Sequence, residues 1–420
     1  MSACLPRPVS CGYDRAKPNI ALGRRASFWV CAGVVAHTLW TSAAPAMTYR
    51  LYAGDWHLTH TVTTAIFAIY PIVVAAVLIG FGDVSDYIGR RATMLLGLGA
   101  SLVGALFFAV APNVVWVFAG RIFMGIGVGL TAGPSTAAMV EFSAEGQAKR
   151  AASITTAAQA AGFAVALLLG GALIEYAPWP LHLSFWVLFV VLAVLFAATW
   201  FLPRRTGHEA PGPWRPKTPS LPKSLRRTFA VAAAAAMTAY THGVLILSLG
   251  GQVAHDLVGS PNAFINGAAL SLFAIGSGVV GITTKSLRAR LAITVGAVAS
   301  AAGMGLLAAA AIRHELWMFL AATTTAGAGY SLLFLGGLKV INGAAPAYHR
   351  GGVLSALYLL AYLSMGSVAL VLGVVATNLG LKLAVNLGVA AIALLSLGSI
   401  VLATTAHSGL TRDNRSRSCS

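Results

Sequence analysis

The chain has 420 residues, of which 58% are hydrophobic and only 9% are charged, and its mean hydropathy is +0.80. Soluble domains carry about a quarter charged residues, so this composition excludes a water-soluble globular protein and indicates a polytopic membrane protein. The formal net charge of +17 does not indicate a nucleic-acid partner, because the cations fall between apolar segments and form no basic face. There they serve as orientation signals and as contacts for anionic lipid headgroups.

Apolar windows of about 20 residues, the length that crosses a bilayer, predict twelve transmembrane helices in two groups of six. The predicted fold class is therefore an all-α integral membrane protein with two six-helix bundles. The predicted windows are 28–48, 61–81, 92–111, 114–140, 151–174 and 181–202, and then 228–250, 262–284, 291–312, 315–342, 351–377 and 380–404.

The segments outside these bundles are polar. Residues 1–27 are predicted to form an N-terminal tail, 203–227 a linker with six prolines, and 405–420 a C-terminal tail. A proline-rich basic segment cannot be helical throughout or lie in lipid. We therefore expect an N-terminal bundle over 28–202 and a C-terminal bundle over 228–404.

The cysteines do not indicate a metal or disulfide framework. Two lie in the N-terminal tail, one in the first helix and one at the C-terminus, without the spacing of a zinc site: Cys4, Cys11, Cys31 and Cys419. We expect no metal, no cofactor and no disulfide.

The link Gly82–Arg91 between the second and third helices contains two acids, two arginines and two glycines. Such a link cannot lie in hydrocarbon and is predicted to be a tight hairpin at a membrane face. Its arginines place it in the cytoplasm by the positive-inside rule. With both tails cytoplasmic, all but five of the 28 lysines and arginines fall inside; the five are Arg50, Arg121, Arg313, Lys339 and Lys382.

This hairpin resembles the loop signature of the major facilitator superfamily, Gly-x-Leu-x-Asp-Arg-x-Gly-Arg-Arg. The residues in register are Gly82, Asp86, Gly89, Arg90 and Arg91. The equivalent segment 281–290 of the second half is degenerate, with lysine at 285 and arginine at 288. The resemblance covers residues 28–404 in topology and implies two bundles that rock around a central site.

In a transporter of this kind, the hairpin is predicted to be a gating loop. We expect Asp86 to accept hydrogen bonds from a neighbouring helix end, and Arg90 and Arg91 to pair with Glu141 or Glu145. The alternative is a loop that only sets orientation.

Arg121 lies inside the fourth predicted helix, about 10 Å from its outer end at 1.5 Å per residue. A guanidinium at this depth is costly and usually faces a water-filled cavity or a partner. The stretch from Arg121 through Gly125 and Gly127 to Gly129 resembles the superfamily's fourth-helix pattern, in which such an arginine is tied to proton coupling or substrate contact. The alternative is an arginine that is satisfied by carbonyl groups.

His37 and His242 lie near mid-membrane in the first and seventh helices, which correspond in the two halves. Histidine can titrate near neutral pH, and no Asp or Glu occupies the middle of any predicted span. The two histidines are therefore candidates for proton coupling. Hydrogen bonding between helices is an equal alternative.

Aromatic and polar side chains at helical spacing are candidates for lining a cavity: Tyr70, Gln159, Tyr358 and Tyr362. Such residues suit an aromatic or amphiphilic solute, although helix packing also explains them.

The fifth helix is similar to the antiporter motif Gly-x-x-x-Gly-Pro-x-x-Gly-Gly of drug exporters. It has Ala166 and Leu167 in place of the central Gly-Pro, so the proline kink is missing. Glycine-mediated packing is the alternative.

No nucleotide-binding loop with Lys-Ser/Thr and no nucleophile constellation is present, so the sequence indicates neither an ATP-driven pump nor an enzyme. It predicts a secondary active transporter, monomeric and located in the cytoplasmic membrane. Our first expectation is proton-coupled efflux of a drug-like or metabolite compound. The second is proton-coupled uptake of a nutrient or organic acid, and a non-transporting receptor or scaffold is an alternative of another class.

Overall fold

The structure is a computed structural model that describes residues 21–204, 222, 225–344 and 347–417. Most of the predicted N-terminal tail and linker lies outside the described residues, as do Cys4, Cys11 and Cys419. All regular secondary structure in the described residues is helical.

Twelve long helices confirm the predicted fold class, and each coincides with a predicted window. They are α1 (Arg24–Ala43), α2 (His60–Phe81), α3 (Arg90–Ala109), α4 (Val114–Phe142), α5 (Ala148–Tyr176), α6 (Leu183–Trp200), α7 (Arg226–Gly243), α8 (Ala263–Thr283), α9 (Ala289–Arg313), α10 (Leu316–Ala344), α11 (Ala347–Leu379) and α12 (Leu381–Arg417). Eleven helices of the described chain, all but α1, are long and apolar enough to cross a membrane. The protein is a multi-pass membrane protein.

The helices form two halves, α1–α6 and α7–α12, which meet where α2 packs against α11 and α5 against α8. We call the end of the bundle that carries residues 204 and 225 the linker face, and the opposite end the distal face. Glycine allows the closest approaches across this junction. A methyl group on Gly267 of α8 would lie 2.3 Å from the Leu167 carbonyl oxygen of α5, so any larger residue there would push the halves apart.

The helices α1 and α7 both lose regular α-helical structure near the distal face. After α1 the chain makes a 3₁₀ turn at Ala44–Met47 and a short helix at Tyr49–Asp55. Pro45 explains this break, because proline has no N–H and its ring clashes with the carbonyl four residues earlier. After α7 the chain makes π-helical turns at Val244–Ser248 and Val253–Leu257 around the Gly250–Gln252 turn. These irregular segments contact one another.

The last helix is longer than predicted. The sequence predicted its end at residue 404 and a tail beyond it, whereas α12 continues to Arg417. No proline occurs between 405 and 417, so the hydrogen-bonded ladder can extend past the apolar region once the helix has formed.

Candidate functional site

Arg121 lies one and a half to two turns from the distal end of α4 and is fully buried against α1 and α2. Its Nε donates to the Ile66 carbonyl oxygen at 3.4 Å, and one terminal nitrogen donates to the Ser42 carbonyl oxygen at 3.2 Å. Ser42 is in the last turn of α1, where carbonyls have no intrahelical partner and the helix dipole is negative. The second terminal nitrogen, Nη2, has no acceptor in ideal hydrogen-bonding geometry among the described residues, and the hydroxyl group of Tyr49 is its neighbour.

Aromatic rings surround the same guanidinium. Its Cζ lies 4.6 Å from the ring centroid of Tyr70, 5.9 Å from that of Phe67 and 6.0 Å from that of Tyr49. A desolvated cation–π contact contributes about 2 kcal/mol, whereas burying an ion costs several kcal/mol. Three such rings and two hydrogen bonds from the charged group are together of the same order as this cost, and Arg121 forms no ion pair with a described residue.

The second half contributes an aromatic cluster, which consists of Tyr240 on α7, Phe273 on α8, Tyr330 and Phe334 on α10, and Tyr358 and Tyr362 on α11. Tyr240 lies edge-on to Tyr362 with the ring centroids 4.9 Å apart, and Phe273 lies 5.4 Å from Tyr330. Tyr330 stacks on Phe334 at 6.2 Å, and Phe334 is 6.2 Å from Tyr358.

Of these rings, the sequence singled out only Tyr358 and Tyr362. Tyr330 and Phe334 could have been found in the sequence from their one-turn spacing on the tenth helix. Tyr240 could have been found because it lies two residues from His242. The four tyrosines are half-buried and carry hydroxyl groups, so this cluster offers apolar area with polar tips. It is the kind of surface that binds a planar or amphiphilic solute.

The rings around Arg121 and the aromatic cluster meet at the junction of the halves. Tyr70 lies on α2 and Tyr362 on α11, the two helices that pack together across the junction. Tyr70 contacts Arg121 on one side. Tyr70 therefore lies between Arg121, which is about two turns inside the distal face, and the junction at which α11 carries Tyr362 and Tyr358.

The two predicted histidines occupy equivalent places in the two halves, but each is bonded within its own half. His37 donates from Nδ1 to the Val34 carbonyl oxygen and accepts at Nε2 from Ser101 Oγ on α3 at 3.4 Å. His242 donates to the Thr238 carbonyl oxygen at 2.9 Å.

The Nε2 atom of His242 accepts from Ser300 Oγ on α9 at 2.9 Å, and Ser396 on α12 donates to Ser300 in turn. Both rings are buried. These contacts match the interhelical hydrogen-bonding alternative, and proton coupling through either histidine stays a prediction.

Gln159, on α5, is half-buried and forms no hydrogen bond with the described residues. The glycines of the fifth helix pack closely on neighbouring helices: a methyl on Gly162 would lie 2.0 Å from the Ala36 carbonyl oxygen, and one on Gly171 would lie 2.5 Å from that of Ala263. Helix α5 runs unbroken from Ala148 to Tyr176, as expected without the proline. The glycine pattern therefore serves helix packing.

The predicted gating loop is a hairpin at the linker face. It contains a helical turn at Ser85–Ile88 and then Gly89, whose φ of 84° and ψ of 149° are accessible almost only to glycine. Gly82 has ordinary helical dihedral angles, and a methyl group on it would lie 2.4 Å from the Leu78 carbonyl oxygen.

Three contacts of this loop were predicted, and one is present. Arg90 Nε lies 2.6 Å from Glu141 Oε1, as expected. Arg91 does not pair with an acid among the described residues; it donates to the Leu202 carbonyl oxygen at 3.1 Å and its Cζ lies 5.6 Å from the Trp200 ring centroid.

Arg91 takes these partners because α3 begins beside the end of α6, where free carbonyls accept its hydrogen bonds. Asp86 is exposed, and its carboxylate forms no hydrogen bond or ion pair within the described residues, so the expected bond to a helix end is absent. The Arg90 and Arg91 contacts all lie within the first half.

The degenerate copy of this loop makes different contacts. Lys285 donates to Ser153 on α5, which joins the halves at the linker face. Lys339 donates to the carbonyl oxygens of Lys285 and Leu287, at 2.7 Å each. Lys339 thus holds the backbone of this loop, whereas the equivalent loop of the first half is held by the Arg90–Glu141 ion pair.

Most polar contacts between the halves lie at the distal face. Arg50 Nε is 3.7 Å from Asp256 Oδ1, and His60 Nδ1 donates to Gln252 Oε1 at 2.8 Å. Thr61 Oγ1 and Thr377 Oγ1 are 2.9 Å apart, and the Ala263 backbone N–H donates to Glu175 Oε2 at 2.7 Å.

These contacts involve the helix pairs α2–α11 and α5–α8 and the irregular segments after α1 and α7. The described structure is therefore closed at the distal face.

Comparison with known families decides the class of this fold. The family model described as Major Facilitator Superfamily matches residues 29–283. The chain belongs to the major facilitator superfamily. It is thus a transporter of that superfamily, and the twelve helices in two halves are the superfamily's fold.

One curated relative is the multidrug efflux pump LfrA of Mycolicibacterium smegmatis, which is 30% identical over 131 residues. That alignment covers 31% of this chain and 26% of LfrA.

Solved transporters share the fold at low sequence identity. The nucleoside transporter NupG superposes with a TM-score of 0.73 at 12% identity, over 90% of this chain and 100% of NupG. The POT family transporter PepTSo superposes with a TM-score of 0.74 at 13% identity, over 91% of this chain and 97% of PepTSo. A bacterial homologue of the human lysosomal transporter Spinster, solved in an inward-facing and unoccupied conformation, superposes with a TM-score of 0.69 at 14% identity. The superposition covers 93% of this chain and 98% of the homologue.

Proposed function

We propose that this superfamily member moves a small organic solute by alternating access, and that the solute binds between Arg121 and the aromatic cluster. The observation that supports the proposal is that Tyr70, which contacts Arg121, and the aromatic cluster lie on helices that pack together across the junction of the halves. A site in this position is reached from either side as the halves rock. The half-buried rings suit an aromatic or amphiphilic solute, and the guanidinium favours a neutral or anionic solute over a cation.

We assign the linker face to the cytoplasm, in the cytoplasmic membrane, on the distribution of lysine and arginine. The distal face is then external. Contacts between the halves at that face hold the external entrance closed, which is the conformation that exchanges solute with the cytoplasm. The functional unit that we propose is a monomer.

Proton-coupled efflux is the first direction we propose. The similarity of a 131-residue segment to a multidrug efflux pump supports it. Proton-coupled uptake is the second candidate, because Arg121 also suits the carboxylate of a nutrient acid.

The sign of coupling separates the two directions in proteoliposomes, whatever the orientation of the inserted protein. We would screen neutral and anionic aromatic compounds by thermal shift and measure flux of the best binder under a pH gradient. An antiporter accumulates the solute when the lumen is acidic, and a symporter accumulates it when the external solution is acidic. A solute that binds but is not moved under either gradient would indicate a receptor and contradict the proposal.

Two variants report on the site itself. Tyr330→Ala removes the ring that contacts both Phe273 and Phe334 and is expected to weaken solute binding about tenfold, a change of about 1.4 kcal/mol. Trp29→Ala changes an exposed ring on the outer surface of α1 and should leave binding unchanged. Equal effects of the two substitutions would place the site elsewhere.

The role of His37 and His242 in proton coupling is tested by the pH dependence of this flux. If either one carries the coupled proton, alanine at that position abolishes the effect of the pH gradient while solute exchange without a gradient continues. An unchanged profile in both variants excludes both from coupling.

A further inference from the structure

Three segments of the first half meet where α6 ends at the linker face. The backbone N–H of Leu22, just before α1, donates to the Phe201 carbonyl oxygen at 2.9 Å. Arg91, at the start of α3, donates to the Leu202 carbonyl oxygen at 3.1 Å, and its Cζ lies 5.6 Å from the Trp200 ring centroid. The start of α1, the start of α3 and the end of α6 therefore lie side by side.

Arginines are concentrated at this place, and three of them form no ion pair within the described chain. Arg24 donates to backbone carbonyls at the end of α4, and Arg90 has the ion pair described above. Arg25, close to the start of α1, and Arg204, two residues beyond the carbonyl that binds Arg91, are exposed and bond to no described residue. The charges of Arg25, Arg91 and Arg204 are therefore available to an anion from outside the protein.

The surface next to these arginines is apolar and faces the lipid. Of the eleven helices that are apolar enough to cross a membrane, α6 is the least buried. Trp200 near its end and Trp29 on the neighbouring α1 are both more than half exposed. Exposed tryptophans are enriched at the level of the lipid headgroups, so the arginines lie at the depth of the phospholipid phosphates. The arginine patch is defined here as Arg25, Arg91 and Arg204 with Trp29 and Trp200.

We propose that the arginine patch is a binding site for one anionic phospholipid. The guanidinium groups donate to the phosphate oxygens, because the fork of N–H donors on arginine matches the geometry of phosphate. The tryptophan rings and the exposed side of α6 contact the acyl chains, which a free phosphate ion does not have. A zwitterionic lipid brings an ammonium group that the arginines repel, so the site prefers a headgroup with net negative charge. The bound lipid fastens the starts of α1 and α3 to the end of α6, whatever solute the protein moves.

The unfolding temperature of the purified full-length protein in detergent measures this binding, because a ligand of the folded state raises its stability. The protein is titrated with dioleoylphosphatidylglycerol and, separately, with dioleoylphosphatidylcholine, which has the same acyl chains and a zwitterionic headgroup. Each arginine at an anionic lipid headgroup strengthens binding about fivefold. We therefore expect saturable stabilisation by phosphatidylglycerol, with an apparent affinity about tenfold or more above that of phosphatidylcholine. A third titration repeats the first in inorganic phosphate at constant ionic strength.

Variants connect the effect to the arginine patch. The double variant Arg25→Gln/Arg204→Gln removes two exposed, unpaired charges and keeps Arg91, which also holds α3 against α6. We expect its affinity for phosphatidylglycerol to fall about tenfold or more, close to that for phosphatidylcholine. The matched control is Arg288→Gln/Arg290→Gln, which removes two exposed arginines at the linker face of the second half and should leave the lipid response unchanged. If the first double variant does not fold, Arg204→Gln alone is used, with an expected loss of about fivefold.

The responses separate a specific lipid site from general attraction. A loss of phosphatidylglycerol binding that is confined to the variant of the arginine patch supports the proposal. Equal stabilisation by the two lipids, or an equal loss in the two double variants, would show that no site prefers the anionic headgroup there and would overturn it. Displacement of phosphatidylglycerol by inorganic phosphate would also overturn it, because the patch would then bind a free anion and not a lipid.

Discussion

A hydrogen bond between the halves at the distal face allows a direct test of the closed conformation. Glu175, in the last turn of α5, accepts at 2.7 Å from the backbone N–H of Ala263, the first residue of α8. A carboxylate at a helix N-terminus satisfies free N–H groups and interacts favourably with the helix dipole. Since the two groups belong to different halves, Glu175→Ala removes a contact that exists only while the distal ends are together.

The size of the effect follows from the chemistry and the exposure of this contact. A hydrogen bond to a charged group contributes about 1.5–3 kcal/mol, and the exposure of Glu175 reduces this to about 1 kcal/mol through solvent screening. Because 1.4 kcal/mol is about tenfold in an equilibrium constant, we expect Glu175→Ala to shift the population from distal-closed to distal-open by about fivefold.

Distances between spin labels measure this shift. Labels at Trp179 and Leu379, which are exposed at the distal face in different halves, would report two distance populations in a cysteine-free background. Glu315→Ala is the control, because Glu315 is an exposed distal glutamate within the second half. An unchanged distribution in Glu175→Ala, or an equal change in the control, would refute the assignment of this bond to closure.

Three further predictions follow from individual contacts. Cysteines at Thr61 and Thr377, whose hydroxyl oxygens are 2.9 Å apart, should form a disulfide that reduces flux to background until a reductant is added; full flux in the oxidised protein, verified by mass spectrometry, would contradict alternating access. Gly89→Ala should lower the unfolding free energy by about 1–3 kcal/mol, whereas Gly80→Ala, where an added methyl meets nothing within 4 Å, should not destabilise in a thermal melt. Gly127→Ala should lower the unfolding free energy by about 1–3 kcal/mol in the same assay, because the added methyl group would lie 2.1 Å from the side-chain oxygen of Ser101 on α3. An unchanged unfolding free energy would show that α3 and α4 pack less closely than in this structure.

The sequence predicted individual residues well where one strong local rule applied. The Arg90–Glu141 ion pair was expected because the basic hairpin and the acidic residue lie at the ends of neighbouring helices, on the same face of the membrane. The pairing of Arg91 with an acid was wrong, since its real partner is the Leu202 carbonyl oxygen at the end of α6, and free helix carbonyls carry no sequence signature. Arg121 was recognised from the cost of a charge at its depth, but its aromatic neighbours Phe67 and Tyr49 depend on how three helices pack.

The aromatic cluster shows the same limit. Tyr358 and Tyr362 were found from one-turn spacing within one helix, whereas Tyr240 joins them only because α7 packs beside α11. The closed distal face is also a tertiary property. Its contacts join residues such as Thr61 and Thr377, which are far apart in the chain and have no charge or motif to mark them.

The amino-acid sequence by itself determined the number of helices, most of their limits to within a few residues, the loop signature at Gly82–Arg91 and the superfamily resemblance; the C-terminal ends of α7 and α12 are exceptions. These depend on hydrophobic length, charge and turn residues, which act locally and must satisfy the bilayer along each segment. Only the tertiary structure decided which helices touch, which face is closed, and that three aromatic rings surround the guanidinium of Arg121. These features arise from packing between segments distant in the chain, where close contacts and not local propensity set the energy.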